Sequence, residues 1–428
     1  MSNYNVGDYI EIELTSGRKI KGIVMPKSEL EPEHILTIKL DNGYNIGIDK
    51  AKIKNIELLA KYELEVEKER IFKKKEGLPL VGIFSTGGTI GCKVDYKTGA
   101  VMARYDAKDI VQLVPEVQKY ANVDGFLVFN DLSENFHQEH WVKIAKKIVE
   151  EDQKNDYKGI IVTHGTDTMA YTASALAFMF EDQSKPIILT GAQRSSDRPS
   201  SDIFLNLLSS VILATKTNCS EVMVCMHGSI SDDHCLAHRG VRVKKLHTSR
   251  RDAFVSVNAR PLFKVVPPKI ERLSDYKASD EQRPLEAFTD ISTKVGIVKY
   301  YPGIDIDIID FFVDKGFEAL IIEGTGLGHT RVNDEILRTF ERASEELVLT
   351  MVSQCINGRV NMNVYRTGRL LQKCGVLPSA DMTLEAAYGK LCYLLGKGYD
   401  RKTIEKLYLT NLRNELSDRS LYTVSKPK

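Results

Sequence analysis

The chain has 428 residues, more than one small hydrophobic core usually supports, so we expect two or three domains. Its 59 basic residues are balanced by 58 acidic ones, so net charge does not favour nucleic-acid or membrane-surface binding, and any basic surface must be local. The first residues lack the layout of a signal peptide, and no apolar run reaches the ~18 residues of a membrane span. Seven scattered cysteines favour reduced thiols, so we expect a cytoplasmic protein.

The first sixty residues have a strand pattern of their own. Short segments alternate apolar and polar residues and are separated by the turn signals "TSG" and "DNG". These segments are Asp8–Leu14, Lys19–Met25, Ile35–Leu40 and Tyr44–Asp49. They predict a small SH3-like antiparallel β-barrel over residues 1–60, and the charged stretch 61–77 is predicted to be a linker.

From Leu78 onward the pattern changes to strands that alternate with helices. Apolar runs such as "LVGIFST", "GIIVTHG" and "PIILTGA" are followed by helical patterns such as "HQEHWVKIAKKIVEED" and "DIFLNLLSSVILATK", and later by "DEILRTFERASEE". This alternation predicts a parallel sheet covered by helices on both faces. We predict one α/β domain over 78–270, a crossover linker over 271–292 and a second α/β domain over 293–428.

The segments that follow the predicted strands are rich in glycine and hydroxyl residues. In open α/β sheets, ligands bind outside the carboxyl ends of the strands, so these segments are the candidate functional loops. They are "STGGT", "DLSEN", "THGTDT", "TGAQR" and, in the second domain, "EGTGLG".

The first of these loops places a hydroxyl at a sharp bend. Gly87 and Gly88 allow a tight turn, and Thr89 follows at the strand end, without the spacing of a nucleotide-binding loop. Thr89 could be a helix cap, and so could Thr166 and Asp167 in "THGTDT". As a nucleophile, an aliphatic hydroxyl needs partners that activate it.

A lysine could complete such a group. A hydroxyl, a carboxylate and an amine in contact could relay a proton to a water molecule or a leaving amine. Lys216, Lys244 and Lys245 all follow strands or helices of the same predicted domain, and spacing alone does not choose among them.

The motifs "TGGTI" and "THGTDTM", in this order and at this separation, resemble the paired signature of the bacterial-type L-asparaginase family. Further matches are "TGAQR", "KKLHTSRRDAF", "SQCINGRV" and "DMTLEAAYGKLCYLLG", so the resemblance covers about Leu78 to Gly396. It implies a two-domain asparaginase-like α/β fold with parallel sheets flanked by helices, here preceded by the small antiparallel β-barrel.

The resemblance also implies roles for individual residues. Thr89 matches the nucleophile that attacks a side-chain amide, forming an acyl ester and releasing ammonia. Tyr96 matches the tyrosine on the following lid that helps to activate it. Thr166 and Asp167 match the second threonine and the aspartate, and the family pattern K-x-x-T selects Lys245 within "KLHT".

Substrate-binding residues follow from the same resemblance. Ser133 and Glu134 match positions that hold the α-carboxyl and α-amino groups, while Gly88 and Ala192 would contribute backbone groups near the amide. His329 matches a loop that reaches the site of a neighbouring subunit. Glutamine and asparagine differ by one methylene, and the sequence does not choose between them.

The additional barrel resembles the layout of the archaeal family members that serve tRNA-dependent amidation. This resemblance implies a homodimer that passes ammonia to a partner subunit of the amidotransferase E type. The partner would use ATP and magnesium to convert Glu-tRNA(Gln) to Gln-tRNA(Gln), and this chain would need no cofactor. The alternatives are a free-standing asparaginase or glutaminase with an accessory barrel, and a non-catalytic amino-acid-binding module.

Two histidine-containing stretches could suggest a metal site. His137 and His140 are three residues apart, and Asp232–His238 contains several potential ligands. A solvated helix start explains the first, and no second cluster supports the other, so we expect no metal.

Overall fold

The computed structural model describes residues 4–27, 32–61, 74–87, 92–94, 101–103, 114–194, 200–279 and 283–420. Among the predicted site residues, Gly88, Thr89 and Tyr96 lie outside these ranges. Most of the predicted linker 61–77 also lies outside them.

The N-terminal region forms a five-stranded antiparallel sheet. Its strands are β1 (Tyr9–Leu14), β2 (Lys19–Val24), β3 (Ile35–Lys39), β4 (Asn45–Asp49) and β5 (Ile53–Ala60), in the order β4-β3-β2-β1-β5. Alternate side chains of all five strands meet in one apolar core, including residues of both edge strands, so the sheet curls around its own interior. The alternating pattern did not single out β5, whose register against β1 shifts twice and interrupts the period.

The second region contains an eight-stranded sheet. Five of its strands are parallel, as the βα alternation predicts: β6 (Leu80–Gly87), β9 (Asn122–Asp131), β10 (Gly159–Thr163), β11 (Ile187–Thr190) and β12 (Val222–His227). Every residue of β10, β11 and β12 is buried, because both faces of the sheet are covered.

Helices cover both faces of this sheet, as predicted. They are α1 (Gln138–Asp152), α2 (Met169–Met179) and α3 (Ile203–Lys216). Ile160 and Val162 of β10 point to a core shared with α1 and α2, whereas Ile161 points to a core shared with α3. The two-residue alternation of one strand therefore feeds two separate apolar layers.

The sheet also has an antiparallel part that the sequence pattern did not predict. It consists of β13 (Cys235–Arg239), β16 (Phe263–Val266) and β17 (Lys269–Arg272), which follow β12 by antiparallel pairing and complete the order β17-β16-β13-β12-β11-β10-β6-β9. β17 ends two residues inside the predicted crossover 271–292. Two small antiparallel pairs stand apart, namely β7 (Cys92–Val94) with β8 (Val101–Ala103) and β14 (Val243–Lys245) with β15 (Phe254–Ser256).

The third region is a four-stranded parallel sheet with flanking helices. The strands are β18 (Val295–Lys299), β19 (Ala319–Gly324), β20 (Val348–Ser353) and β21 (Leu377–Pro378). The helices are α4 (Ile308–Asp314), α5 (Asp334–Glu346), α6 (Arg366–Lys373), α7 (Leu384–Gly396) and α8 (Arg401–Tyr408).

The two α/β regions share a core in which α2 packs on α7. Every residue of α2 except Tyr171 is buried, so this helix is enclosed on all sides. A Cβ added to Gly389 would lie 3.0 Å from the backbone nitrogen of Ala175, which shows how closely the helices approach. Arg242 donates to a carboxylate oxygen of Asp381 across the same junction at 3.0 Å.

A buried ion pair holds the segment that follows α8 against α7. Lys390 of α7 donates to a carboxylate oxygen of Glu415 at 2.5 Å, and both side chains are fully buried. The same ammonium donates to the carbonyl oxygens of Tyr408 and Thr410. The pair therefore ties the segment after α8 to the shared core.

We predict that Glu415→Ala lowers the stability of this region by about 3–5 kcal/mol, because it leaves a buried ammonium without its counter-ion. Glu150→Ala is the control, because it removes an exposed partner of Lys147 and Lys154 and should cost at most about 1 kcal/mol. Differential scanning calorimetry measures both changes. Equal melting temperatures for the two variants would contradict the assignment.

Candidate active site

Four neighbouring parallel strands bring the predicted functional loops to one edge of the large sheet. The sheet order β11-β10-β6-β9 places the carboxyl ends of these strands side by side, and the motifs "TGAQR", "THGTDT", "TGGT" and "DLSEN" each begin in the last residues of one of them. The register pairs Thr163 with Thr190 on one side and with Ser85 on the other. Sequence-distant motifs therefore become neighbours.

The end of β6 is bound to both neighbouring strands. The hydroxyl of Thr86 donates to the carbonyl oxygen of Thr163 at 3.0 Å. Gly87 has φ of +98°, and a Cβ there would lie 2.5 Å from the carbonyl oxygen of Asp131. Only glycine fits this position, because both the positive φ and the close approach of the β9 backbone exclude a side chain. Thr89, two residues further along, lies outside the described residues.

Lys245, Thr166 and Asp167 form a close group at this edge. The ammonium of Lys245 donates to Oγ1 of Thr166 at 2.8 Å and to Oδ1 of Asp167 at 2.8 Å. Lys245 is 13% exposed, whereas the carboxylate side chain of Asp167 is 65% exposed. The group therefore combines a shielded cation with a carboxylate that is open to a ligand.

Helix capping does not account for Thr166 and Asp167. Helix α2 begins at Met169, and its N-cap residue is Thr168. The side chains of Thr166 and Asp167 instead accept hydrogen bonds from Lys245.

The other two candidate lysines have different partners. Lys244 points to the opposite side of β14 and forms an ion pair with the buried Glu385 at 2.6 Å. Lys216 is exposed at the C-terminal end of α3 and donates to the carbonyl oxygen of Pro268. Of the three, the structure brings Lys245 into contact with the hydroxyl–carboxylate pair.

The loop after β9 contacts the loop after β10. Ser133 is buried, and a Cβ added to Gly165 would lie 2.7 Å from its Oγ. The hydroxyl of Thr168 donates to the carbonyl oxygen of Ser133 at 2.6 Å. Glu134 is exposed on the same short 3₁₀ turn, Ser133–Asn135. The two predicted α-group ligands thus adjoin the loop that carries Thr166 and Asp167.

The loop that contains Ala192 is held by a buried carboxylate. Asp202 is inaccessible to solvent, and its oxygens accept from the backbone N–H groups of Gln193 and Arg194 and from the side-chain amide of Asn206. Ala192 is buried directly before this anchored segment. Its backbone is therefore fixed beside the loop from β10.

Sequence reasoning missed several residues of this site. Gln193 lies beside Thr166, and its Nε2 is buried without a hydrogen-bond partner in the described part of the chain. Asn206 donates to the carbonyl oxygen of Gly191 at 2.9 Å and makes a 2.6 Å hydrogen bond with Nδ1 of His227. Gln193 stands inside the motif "TGAQR", which was a usable signal, whereas Asn206 and His227 carry no local signal.

The two candidate metal stretches have other roles. At the start of α1, Nδ1 of His140 accepts from the backbone N–H of His137, and Asp232 contacts His227 and Arg251. Across the described ranges, no group of three or more histidine, cysteine or acidic side chains is arranged to hold a metal ion. In the same part of the chain, no helix is long and apolar enough to cross a membrane.

His329 lies after β19 in the second α/β region. Its Nδ1 is 3.2 Å from Oγ1 of Thr367, and its ring packs edge-on against Tyr365. Its Nε2 is buried and has no hydrogen-bond partner among the residues described. Within this chain it is not part of the Lys245 group.

Comparison with protein families divides the chain into three matches. Residues 4–59 match the GatD N-terminal domain, 80–276 match the N-terminal asparaginase domain, and 294–408 match the glutaminase/asparaginase C-terminal domain. The chain is 50% identical to the D subunit of the glutamyl-tRNA(Gln) amidotransferase of Pyrococcus abyssi, over 97% of this chain and 95% of that one. The protein of the same name from Sulfolobus acidocaldarius is 46% identical, over 97% and 92%.

Solved structures agree with this assignment. The thermostable L-asparaginase of Thermococcus kodakarensis matches 79% of this chain and all of its own, with a TM-score of 0.72 and 27% identity. L-asparaginase I of Vibrio cholerae matches 79% of this chain and 99% of its own, with a TM-score of 0.68 and 30% identity. The predicted asparaginase-like fold class is therefore confirmed. The chain belongs to the asparaginase family and, within it, to the family of the glutamyl-tRNA(Gln) amidotransferase D subunits.

We predict that Asp202→Ala loosens the loop that contains Ala192. Loss of the carboxylate removes the acceptor of two backbone N–H groups and should accelerate hydrogen exchange at Gln193 and Arg194 by about 10–100-fold. Ser201→Ala is the matched control, because it removes the hydroxyl contacts to the carbonyl oxygen of Arg194 and to the backbone N–H of Ile203 but leaves the Asp202 carboxylate in place. Unchanged exchange in the Asp202 variant would show that other contacts hold the loop.

Proposed function

We propose that this chain is the amide-hydrolysing subunit of a tRNA-dependent amidotransferase. It would hydrolyse glutamine, or asparagine, and supply the ammonia with which a partner subunit converts Glu-tRNA(Gln) to Gln-tRNA(Gln). The observation that carries the proposal is the contact of Lys245 with both Thr166 and Asp167, at 2.8 Å each, at the edge where the "TGGT" strand ends. The nearly full-length similarity to D subunits from several archaea supports the same assignment.

The first half of the reaction is assigned to Thr89. Its oxygen would attack the side-chain carbonyl carbon of the substrate, with Tyr96 helping to remove the hydroxyl proton. Collapse of the tetrahedral intermediate breaks the carbon–nitrogen bond, so the nitrogen leaves as ammonia and the acyl group remains as an ester. Backbone groups of Gly88 and Ala192 would bind the amide, and one preorganised N–H donor to the oxyanion is typically worth about 3–4 kcal/mol.

The second half is assigned to Thr166 and Lys245. The Lys245–Thr166 pair would accept a proton from water as the water attacks the ester, and the proton would then return to the departing threonine oxygen. The net reaction consumes glutamine and water and yields glutamate and ammonia. The hydrogen bond that Lys245 donates to Thr166 supports the assignment, because a neighbouring cation stabilises the deprotonated, alkoxide form of the threonine hydroxyl.

Recognition of a free amino acid requires ligands of both signs. Asp167 and Glu134 would bind the α-ammonium group, and Ser133 would bind the α-carboxylate. The exposure of the Asp167 carboxylate supports this role, because it can gain a second cationic partner besides Lys245.

Assembly with a partner subunit would determine where the released ammonia is used. We propose a homodimer that joins two E-type partner subunits in a heterotetramer in the cytoplasm. The partner would hold ATP and magnesium and activate the γ-carboxyl group of Glu-tRNA(Gln), while this chain would use no cofactor. Ammonia is mostly protonated at neutral pH and then lacks a nucleophilic lone pair, so a sheltered route between the subunits would prevent its loss.

Strand β2 of the N-terminal sheet carries two lysines that could contact tRNA directly. Lys19 and Lys21 of β2 both form ion pairs with Glu11 of β1, at 2.7 and 3.4 Å. Glu11 is shared by the two ammonium groups and therefore offsets only part of their charge. We propose that the N-terminal sheet docks either the partner subunit or the tRNA.

We predict that Lys245→Met and Thr166→Val each lower kcat for glutamine hydrolysis by about 10²–10⁴-fold, because each removes one member of the proton-transfer pair. Lys216→Met is the control and should stay within about twofold, because its ammonium contacts the carbonyl oxygen of Pro268 and the ring of Tyr120, and neither belongs to the Lys245 group. Release of ammonia measures all three, and Thr89→Ala provides the inactive reference. Normal turnover in Thr89→Ala or Lys245→Met would refute the mechanism.

A second candidate function is that of a free-standing asparaginase with an accessory barrel. The similarity to two solved L-asparaginases supports this candidate. Ammonia release from glutamine and asparagine should be measured with the chain alone, with the E-type partner, and with partner, ATP and Glu-tRNA(Gln). We expect the complete mixture to give the fastest glutamine turnover and to form Gln-tRNA(Gln). Fast asparagine turnover by the chain alone, without stimulation, would establish the second candidate instead.

A further inference from the structure

The loop that carries Thr166 and Asp167 begins with a histidine that has no role in the mechanism above. His164 directly follows β10 and is 1% exposed. Both ring nitrogens make short hydrogen bonds: Nδ1 lies 2.6 Å from the carbonyl oxygen of Gly165, and Nε2 lies 2.8 Å from Oγ1 of Thr172. A buried imidazole with two strong partners is a fixed element of the loop.

The chemistry of these partners determines where the imidazole proton lies. The carbonyl oxygen of Gly165 can only accept, so Nδ1 of His164 must carry the hydrogen. A neutral imidazole has one N–H, so Nε2 must accept, and the hydroxyl of Thr172 must donate to it. Oγ1 of Thr172 in turn accepts from Nε1 of Trp141 at 3.0 Å, and an indole nitrogen can only donate. The donor at one end of this series of hydrogen bonds, Trp141, and the acceptor at the other end, Gly165, therefore require the same direction of donation.

Burial keeps this histidine neutral. Loss of water contact is the largest cause that lowers the pKa of His164 to about 4; the hydrogen bond to the carbonyl oxygen of Gly165 opposes this shift, and the charge of His140 adds to it. His140, on α1, is 3.8 Å from Asp131 and stacks on Phe136, whose ring meets His164 edge-on. Because the pKa in the folded protein lies below the ordinary value of 6.5, a proton on this ring favours the unfolded chain as the pH falls towards 4.

The hydrogen bond from His164 sets one end of the catalytic loop. A peptide group is planar, so the direction of the Gly165 carbonyl also sets the N–H of Thr166. The other end is held by Thr168, whose hydroxyl donates to the carbonyl oxygen of Ser133. Thr166 and Asp167 lie between these two attachments and meet Lys245 there.

We propose that His164, as the neutral Nδ1–H tautomer, is a positioning residue that couples the packing of α1 and α2 to the placement of Thr166 and Asp167. Trp141 on α1 and Thr172 on α2 orient the imidazole, and the imidazole orients the first peptide of the loop. The consequence for turnover rests on the proposed amidase function. The tautomer itself does not depend on that function.

Two variants separate the two hydrogen bonds. In His164→Asn, the side-chain nitrogen can occupy the place of Nδ1 and donate to Gly165. In His164→Gln, the amide reaches the place of Nε2 and can accept from Thr172, but the donor to Gly165 is lost. We expect kcat/KM for glutamine to fall by about 10–100-fold in His164→Gln and by no more than about threefold in His164→Asn. Equal loss in two variants of equal melting temperature would overturn the proposal.

A second pair of variants tests the hydrogen bond from Thr172 to His164, on the side of the imidazole that faces away from the loop. Thr172→Ser keeps the hydroxyl, whereas Thr172→Val has the same shape without it. We expect Thr172→Ser to retain the wild-type kcat/KM within about twofold and Thr172→Val to lose about three- to tenfold. Equal activity of the two variants would show that the hydroxyl does not orient His164.

A spectroscopic measurement tests the tautomer without reference to catalysis. The full chain, labelled with ¹⁵N in its nine histidines, is recorded by long-range ¹H–¹⁵N correlation between pH 5 and 8, and the His164→Asn spectrum assigns the signal. We expect a protonated Nδ1 and an unprotonated Nε2 throughout. An Nε2–H tautomer or an imidazolium would overturn the inference. Failure of wild-type amide hydrolysis would refute the proposed function and leave this result standing.

Discussion

The parallel pairing of four strands is the constraint on which the site depends. In the order β11-β10-β6-β9, backbone hydrogen bonds hold neighbouring strands in register, so their carboxyl ends lie on one line. Four motifs separated by up to about a hundred residues thereby become adjacent. A slip of one residue would turn every side chain of the strand to the opposite face and exchange the residues of the two apolar layers. The two cores that cover this sheet therefore also fix the position of the active-site edge.

Buried polar contacts convert this alignment into defined loop conformations. The carboxylate of Asp202 holds the loop after β11, and the imidazole of His164 holds the loop after β10. Neither side chain is needed for the chemistry assigned to Lys245 and Thr166. Each gives an otherwise unpaired backbone group a partner inside the protein, where an unpaired group would cost about 1–3 kcal/mol. The loops thus carry exposed reactive groups on anchored backbones.

The sequence predicted the regular elements well where one periodicity continued without interruption. Helix α5 has the predicted bounds, Asp334–Glu346, because its apolar residues recur at helical spacing along one face. The pattern did not predict the antiparallel extension through β13, β16 and β17. Alternation of strands and helices indicates parallel crossovers, whereas short strands at the end of a sheet pair according to contacts with distant residues. The pattern did not predict β5 either, because register shifts against β1 interrupt its alternation.

By itself, the sequence determined which chemical groups are available at the strand ends, because the positions of the strands can be predicted from it and the residues that follow them are rich in glycine, threonine and acidic side chains. It also indicated a family through the order of two motifs. Spacing alone left three lysines open, and Lys245 was selected only through the resemblance to the family. The tertiary structure gives the physical reason why Lys245 meets Thr166. Lys244 and Lys245 are adjacent in one strand and point to opposite sides, and Glu385, about 140 residues away, takes the first while Asp167 takes the second. Such a choice depends on what faces each side of the strand, which local spacing does not encode.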